Sequence, residues 1–211
     1  MSGTMKTKLC KITAFLLTLL VIFGVFVGCA RETDEELLST AQTLLDQSAP
    51  INALLFGSGF TPKEDGYTSG AYTEADEASL AAYGISTVAE LRERVAEIYS
   101  AFTCDYIDTV VLAPVRDGGS VISYRRYYDG VEGDRAVLMV YRDFDVIAAD
   151  RVSYGNLRIV SHGRARAEIL ADITVYDGDS ATVQKDVAFL LRYEEGWRLD
   201  TVTYAAAPKK P

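Results

Sequence analysis

The alternation of apolar and polar residues in the second half of the chain constrains its fold more than any other feature. Every second residue from Ala165 to Val175 is apolar, and most residues between them are charged or polar. The same period recurs from Val187 to Tyr193. Because successive side chains of a strand point to opposite faces, this pattern predicts antiparallel strands with one buried and one solvated face. The predicted strands cover residues 121–129, 135–142, 154–161, 164–176, 182–193 and 197–204.

Three helical segments are predicted ahead of these strands. Two of them begin with the Thr-x-x-Glu pattern of a capping box, and their apolar residues recur on one stripe of the helix. Pro50 is expected to end the first helix, because proline lacks the N–H that a helix interior needs. The predicted helices cover residues 31–48, 87–100 and 105–112.

Helices followed by hairpin strands predict an α+β fold. We expect N-terminal helices to pack on one face of a curved antiparallel sheet of about five to six strands. Trp197 is expected to be buried in this core. Residues 35–205 are enough for a single domain with one hydrophobic core, and the tail at residues 206–211 is expected to fray.

The first 28 residues have the composition of an export signal. Three lysines precede an uncharged and almost wholly apolar stretch at residues 12–27, and the small Gly28 stands directly before Cys29. This order is typical of a secretory signal. The stretch is shorter than the roughly 20 residues that span a bilayer, although an uncleaved membrane anchor stays an alternative.

The segment Phe26-Val27-Gly28-Cys29 resembles the bacterial lipobox. Phe26 differs from the leucine that is usual at its position. The resemblance implies that residues 1–28 are removed as a signal peptide, that Cys29 is acylated, and that residues 29–34 form a lipidated tether. With either a lipid or an uncleaved anchor, the remainder is predicted to be extracytoplasmic, because the lysines stay inside.

Charge limits the partners of the exported part. Cleavage before Cys29 removes three lysines and no acidic residue, which shifts the formal charge from −9 to about −12. Affinity for nucleic acid depends on neutralising phosphates with Lys and Arg, so we expect no nucleic-acid partner. An acidic domain favours a basic partner.

The sequence offers few groups for catalysis or metal binding. His162 is the single histidine. Of the three cysteines, Cys104 is the one that follows Cys29 in the chain. Zinc sites need several such ligands, and a cysteine nucleophile needs a neighbouring base or cation. We therefore predict no metal, no cofactor and no catalytic residue. Acid–base catalysis by a carboxylate pair such as Asp105 with Asp108 stays an alternative.

The connection from Ser58 to Ser79 is long, acidic and rich in glycine. Connections beyond about 12 to 15 residues are usually functional or disordered, and the glycines with Pro62 argue against a regular helix or central strand. We predict that this connection contacts a protein partner through aromatic anchors. The alternative is that the aromatic residues fill the core. They are Phe60, Tyr67 and Tyr72.

Tyrosine is abundant, with 13 residues in the chain. Tyrosine suits both the half-buried surface of a sheet and a contact surface, so both uses stay open for the tyrosines of the predicted strands. These are Tyr124, Tyr127, Tyr128, Tyr141 and Tyr154.

Two segments resemble known families. The closing segment from Val187 to Asp200, with Glu194-Glu195-Gly196-Trp197 at its turn, resembles the final hairpin of NTF2-like or cystatin-like domains. The pattern Ser86-Thr87-Val88-Ala89-Glu90-Leu91, with the later pair Tyr127-Tyr128, is similar to lipoproteins of the IseA family, which inhibit cell-wall DL-endopeptidases. The second resemblance implies a surface protein that is not an enzyme.

These features predict a membrane-anchored extracytoplasmic lipoprotein that acts as a non-enzymatic binding or inhibitory module at the cell envelope. The expected partners are the membrane, through the lipid on Cys29, and an envelope protein such as a peptidoglycan hydrolase. One alternative is an NTF2-like domain that binds a small apolar or peptide ligand between helices and sheet. Another is an NTF2-like enzyme that uses an Asp and a Tyr in that pocket.

Replacing Cys29 tests the predicted anchor. Cys29→Ser should abolish labelling of the chain by radioactive fatty acid and should leave an uncleaved precursor, because the acylated thiol is gone. Cys104→Ser is the matched control and should be processed and labelled normally. Continued processing and labelling of the Cys29 variant would contradict the lipobox assignment.

Overall fold

The computed structural model describes residues 32–206, and within it the residues from Asp34 onward form one compact unit. The predicted signal peptide at residues 1–28, the lipid attachment at Cys29 and the tail residues 207–211 lie outside the described residues. Within residues 32–206, no helix combines the length and the apolar character that crossing a bilayer requires.

The first helix, α1 (Asp34–Phe56), is longer than predicted. Pro50 lies inside it, so the prediction that Pro50 ends the helix was wrong. A proline in a helix deprives the carbonyl four residues earlier of its partner. That carbonyl belongs to Asp46, and both Asp46 and Pro50 are exposed, so water can solvate it. Continuing the helix buries apolar side chains of its last turns, including Leu54 and Leu55.

The next helices are α2 (Glu77–Tyr83) and α3 (Val88–Ile98). The predicted capping box of α3 is present: the Thr87 hydroxyl accepts from the Glu90 amide at 3.1 Å, and the Glu90 carboxylate accepts from the Thr87 amide at 3.1 Å. The buried stripe of α3 is also as predicted. It consists of Val88, Leu91, Val95 and Ile98.

The third predicted helical segment begins earlier in the structure. Helix α4 (Ala101–Ile107) starts after Ser100, whose hydroxyl accepts from the Thr103 amide at 3.4 Å. A π-helical turn (Asp108–Leu112) continues it. The serine cap was not recognised because the apolar stripe of this segment is weak.

The strands within residues 32–206 form antiparallel sheets. The first sheet has the order β1-β2-β6-β5 and the second β10-β9-β8-β7, while β3 and β4 form a separate hairpin. Their bounds are β1 (Thr68–Ser69), β2 (Tyr72–Glu74), β3 (Pro114–Asp117), β4 (Ser120–Tyr124), β5 (Tyr127–Glu132), β6 (Arg135–Tyr141), β7 (Val152–His162), β8 (Arg166–Asp177), β9 (Ser180–Tyr193) and β10 (Trp197–Leu199).

The α+β class is confirmed, but the strands do not join into one sheet of five to six strands. They divide between two four-stranded sheets and the hairpin. One cause lies at Arg125 and Arg126, where the single strand predicted for residues 121–129 separates into β4 and β5. The Arg126 side chain turns into the core at this point.

The second sheet curls where its register shifts. Shifts occur between Gly155 and Arg158 of β7 and between Ala171 and Ile173 of β8. The Asp172 carboxylate stabilises this bend by accepting two hydrogen bonds. One comes from the Asn156 side-chain amide at 2.8 Å and the other from the Asp186 backbone amide at 3.0 Å. Asn156 and Asp186 both have left-handed backbone angles, with φ of 53° and 58°. Bulges of this kind bend a strand and increase its twist.

The concave face of the second sheet packs against the helices. Buried residues alternate along β8 as predicted, and Trp197 is 5% exposed, which confirms its predicted burial. The core residues of β8, β9 and β10 include Ala167, Ile169, Ala171, Ile173, Val175, Phe189, Leu191, Trp197 and Leu199.

The C-terminal end of α1 is capped by Tyr127, the first residue of β5, and by Arg126, which directly precedes it. The Tyr127 hydroxyl donates to the Leu54 carbonyl at 2.6 Å, while the Arg126 guanidinium donates to the Leu55 carbonyl at 3.0 Å and the Gly57 carbonyl at 2.6 Å. The last carbonyls of a helix have no partner within the helix and carry partial negative charge. The Arg126 guanidinium supplies hydrogen-bond donors to these carbonyls and a positive charge beside them. The last turn of α1 has no basic residue of its own.

Candidate functional site

The connection predicted to contact a partner is an ordered part of the first sheet. Residues 72–74 form β2, which lies between β1 and β6, so the expectation that this segment avoids a central strand was wrong. The glycines do not prevent this, because none of them lies within β1 or β2. Gly70, with φ of 60°, occupies the turn between them.

Phe60 lies in the main core, which corrects its prediction as a partner contact. Its side chain is fully buried, and its ring packs edge-on against Tyr83 and Tyr127. The Phe60 amide also donates to the Tyr127 hydroxyl at 3.3 Å. This residue therefore follows the alternative in which the connection's aromatic residues fill the core.

Tyr67 and Tyr72 instead join a second aromatic cluster on the first sheet. Tyr72 is 8% exposed, and three other tyrosines surround it. The ring centroids of Tyr128, Tyr141 and Tyr124 lie 5.0, 5.2 and 6.4 Å from that of Tyr72. Such spacings are favourable for aromatic pairs.

Strand register produces this arrangement. Tyr72 on β2 is directly opposite Tyr141 on β6, and Tyr128 on β5 is opposite Met139 on β6. Side chains at such positions share one face of the sheet and touch across it. The hairpin then brings Tyr124, whose ring stacks on Tyr128 at 4.3 Å with an interplanar angle of 13°.

Hydrogen bonds fix the hairpin to the first sheet at the same place. The Tyr72 hydroxyl accepts from the Tyr124 backbone amide at 2.9 Å and donates to the Tyr124 carbonyl. The buried Tyr72 hydroxyl therefore fixes the backbone of Tyr124 relative to the first sheet.

Four of the five tyrosines are partly exposed, and we call them the tyrosine surface. Farther along β4, at the same side-chain parity as Tyr124, Ile122 is 64% exposed. Exposed apolar side chains that adjoin one another mark contact surfaces more often than single ones do. The tyrosine surface comprises Tyr67, Tyr124, Tyr128 and Tyr141, arranged around the buried Tyr72.

Glu74 attaches the connection to this surface. Its buried carboxylate accepts two bonds from Arg135, at 2.6 and 3.0 Å, and one from the Tyr67 amide at 3.2 Å. Lys63 contacts the same carboxylate at 3.4 Å. The Arg135 guanidinium, ahead of the other contacts, lowers the pKa of Glu74 to about 2.

The tyrosines of the sequence therefore divide between two uses. Tyr127 and Tyr154 are buried in the main core, whereas Tyr124, Tyr128 and Tyr141 lie at the surface. The sequence could not show which tyrosines are buried, because the alternation of inward and outward side chains is interrupted between β4 and β5. Arg126 and the adjacent Tyr127 both point inward there.

A buried polar network joins α1 to the end of α3 and to the segment that follows β10. The Tyr99 hydroxyl donates to the Asn52 side chain at 2.8 Å and lies 2.9 Å from the Thr203 hydroxyl. Ser48 bonds to the same Thr203 hydroxyl at 2.7 Å. Burial raises the pKa of Tyr99 to about 12. Every buried side-chain nitrogen or oxygen in the described residues has a partner, so this network is complete.

The two carboxylates and the cysteine that were considered for catalysis all line one groove. Asp105 and Asp108 both line a groove of about 650 Å³ between α3 and α4, where Asp108 pairs with Arg92 at 2.7 Å. Cys104 lines the same groove, and burial raises the pKa of its thiol. A raised pKa disfavours the thiolate that a nucleophile or metal ligand requires.

The His162 Nδ1 atom lies 2.8 Å from the Asp34 carboxylate, and the His162 side chain is mostly buried. Its ring lies edge-on to Trp197, with 5.9 Å between centroids. Across residues 32–206, no group of three or more His, Cys, Asp or Glu residues has the arrangement of a metal site.

A scan against protein-family models matches none, and a search of curated proteins gives no significant match.

The low pKa of Glu74 predicts a pH-dependent contribution to stability. Glu74→Gln should lower the free energy of unfolding by about 1 to 3 kcal/mol at neutral pH, because it removes a buried charged acceptor. A carboxylate with a depressed pKa stabilises the fold above its ordinary pKa of 4.5, and this stabilisation is lost as the pH falls toward 2. The difference between parent and variant should therefore shrink over that range in urea titrations.

Glu132→Gln is the control for Glu74. Glu132 pairs with the same Arg135, but its side chain is half exposed. Its loss should cost less than about 1 kcal/mol. Equal effects of the two substitutions at every pH would show that the buried Glu74 contacts do not hold the connection.

Proposed function

We propose that the exported chain is a lipid-anchored, extracytoplasmic binding module that acts at the cell envelope without catalysis. Its contact surface is the tyrosine surface, and its partner is a peptidoglycan hydrolase that it restrains. The lipobox resemblance supports the location, and the resemblance to the IseA family supports the partner class. The expectation of no nucleic-acid partner follows from the acidic charge.

The tyrosine surface is the observation that carries this proposal. Tyrosine supplies a large contact area at a low cost in side-chain entropy, because it has only two rotatable angles. Here the rings are also held in advance by Tyr72 and by their mutual contacts. Pre-organised contact groups lose less free energy on binding than mobile ones do.

The hairpin β3–β4 extends the tyrosine surface. Within the described residues its two strands pair with each other and with no other strand, and most of its side chains are exposed. Ile122 and Val121 are among the exposed apolar residues of this hairpin. A hairpin that exposes apolar side chains beside an aromatic surface suits the groove of an enzyme better than it suits open solvent.

The filled interior supports surface binding over the NTF2-like pocket alternatives. The polar network of Tyr99, Asn52 and Thr203 joins α1 to the end of α3 and to the segment after β10, and its buried side-chain groups all have hydrogen-bond partners. Tyr83 and Glu97 line one groove between α1, α2 and α3, but the Glu97 side chain is exposed and pairs with Arg94 at 3.1 Å. The hydrogen-bonded groups of this network are an amide, hydroxyls and phenols.

Digestion of purified peptidoglycan sacculi by hydrolases of the same envelope tests this proposal. Adding the chain should slow the loss of turbidity. The double variant Tyr128→Ser/Tyr141→Ser should raise the concentration needed for half-inhibition by roughly thirtyfold, which corresponds to about 2 kcal/mol lost from two central aromatic contacts.

A matched control uses two exposed tyrosines elsewhere. Tyr106 and Tyr193 are each 52% exposed, and Tyr106→Ser/Tyr193→Ser should inhibit as the parent does. Thermal unfolding of all three proteins shows whether a loss of inhibition follows from a loss of folding. If the parent leaves digestion unchanged, or if the two double variants inhibit equally, the proposal is wrong.

A further inference from the structure

Strand β9 lies between β8 and β10, and it is much longer than β10. It runs from Ser180 to Tyr193, but β10 pairs only with Leu191, Arg192 and Tyr193. Within the described residues, no strand pairs with the side of Ser180–Lys185 that faces away from β8. This open edge is a template for another extended chain.

The turn between β8 and β9 determines which backbone groups face outward. Asp177 pairs with Ser180 across a two-residue turn, so these two residues form a hydrogen-bonded pair. Ser180, Thr182 and Gln184 therefore bond to β8. The N–H and C=O groups of the alternate residues Ala181, Val183 and Lys185 point to the open side.

From Ser180 to Gln184, the open edge lacks the features that usually protect an edge strand. Natural edge strands carry charged residues, prolines or bulges. From Ser180 to Gln184 there is neither a charge nor a proline. On one face of this edge, Val183 is 51% exposed and the neighbouring Tyr176 is 37% exposed. The extended backbone of β9 is interrupted at Asp186, where φ is 58°, and resumes at Val187.

We propose that this edge pairs with the same edge of a second copy of the chain, antiparallel and with Thr182 on the two-fold axis. In this register Ala181 lies opposite the partner's Val183, so their outward backbone groups bond to each other. Ser180 lies opposite the partner's Gln184. Two-fold pairing of one surface with itself is the commonest form of association between identical chains.

Charge complementarity selects this register. With Thr182 on the axis, Lys185 lies beside the partner's turn at Asp179, directly before β9, which places two pairs of opposite charges together by symmetry. Neither Lys185 nor Asp179 forms an ion pair within residues 32–206, and both are exposed. Moving the axis to Val183 would place Lys185 opposite the partner's Ala181, where it has no charged neighbour.

The apolar residues support the same pairing. Val183 and Ala181 of one copy would lie beside the partner's Ala181 and Val183, with a Tyr176 at each side. This covers side chains that the single chain exposes. An interface of one short strand pair is small, so the dimer is weak and reversible in solution.

Disulfide trapping tests the register directly. The two Thr182 residues form a non-hydrogen-bonded pair, whose Cα atoms are about 4.5 Å apart, within the range that a disulfide spans. Under mild oxidation, Thr182→Cys should yield a covalent dimer on a non-reducing gel. A mixture of Ser180→Cys and Gln184→Cys should yield the mixed dimer. The full chain with its native cysteines gives the background.

Val183→Cys is the matched control, because it lies opposite the partner's Ala181 and diagonal to the partner's Val183. It should give a several-fold lower yield of dimer than Thr182→Cys. Adding Val183→Pro to Thr182→Cys should abolish the dimer, since it removes an outward N–H while leaving the bonds to β8. Thermal unfolding should show that this double variant remains folded.

Two results would overturn the proposal. Equal dimer yields at positions 182 and 183 would mean that the chains collide without a register. Failure of Thr182→Cys to dimerise, or its cross-linking only to a different protein in whole cells, would mean that the edge does not pair with itself. Both outcomes are independent of the hydrolase assay, because the open edge belongs to the second sheet and the tyrosine surface to the first.

Discussion

The fold depends on the insertion of a buried arginine between the end of α1 and the first sheet. Arg126 is 2% exposed, and its guanidinium donates to the carbonyls of Leu55 and Gly57, to the Tyr127 hydroxyl, and stacks on Phe144 at 4.0 Å. A charge in the interior is costly unless its donors are satisfied. The close approach also needs Gly59, since a Cβ there would lie 2.2 Å from the guanidinium.

The same insertion positions the tyrosine surface. Arg126 and Tyr127 turn inward to the helix end, so Tyr124 and Tyr128 on either side of them turn outward and stack on each other. Tyr72 then closes the gap between the hairpin and the first sheet through its bonds to Tyr124. These contacts hold the rings of the tyrosine surface in place, which is the pre-organisation that the proposed binding role requires.

Local patterns predicted the elements that local interactions stabilise. The capping box of α3 and the alternation of β8 were recognised because their signals lie within a few residues. The continuation of α1 past Pro50 and the burial of Arg126 depend on contacts between segments about 70 residues apart, so no local pattern contains them. The tyrosine surface was missed in part for the same reason: its members come from three segments whose alignment depends on the register of β2, β5 and β6.

Amide hydrogen exchange of the chain, measured with and without the proposed hydrolase partner, tests whether the tyrosine surface is the contact surface. Exchange reports the protection of each segment separately. We expect slower exchange on binding in residues 67–72, 120–128 and 139–141, with no change in α4, whose exposed Phe102 and Tyr106 lie on a different element. Protection of α4 with unchanged exchange in those three segments would contradict it.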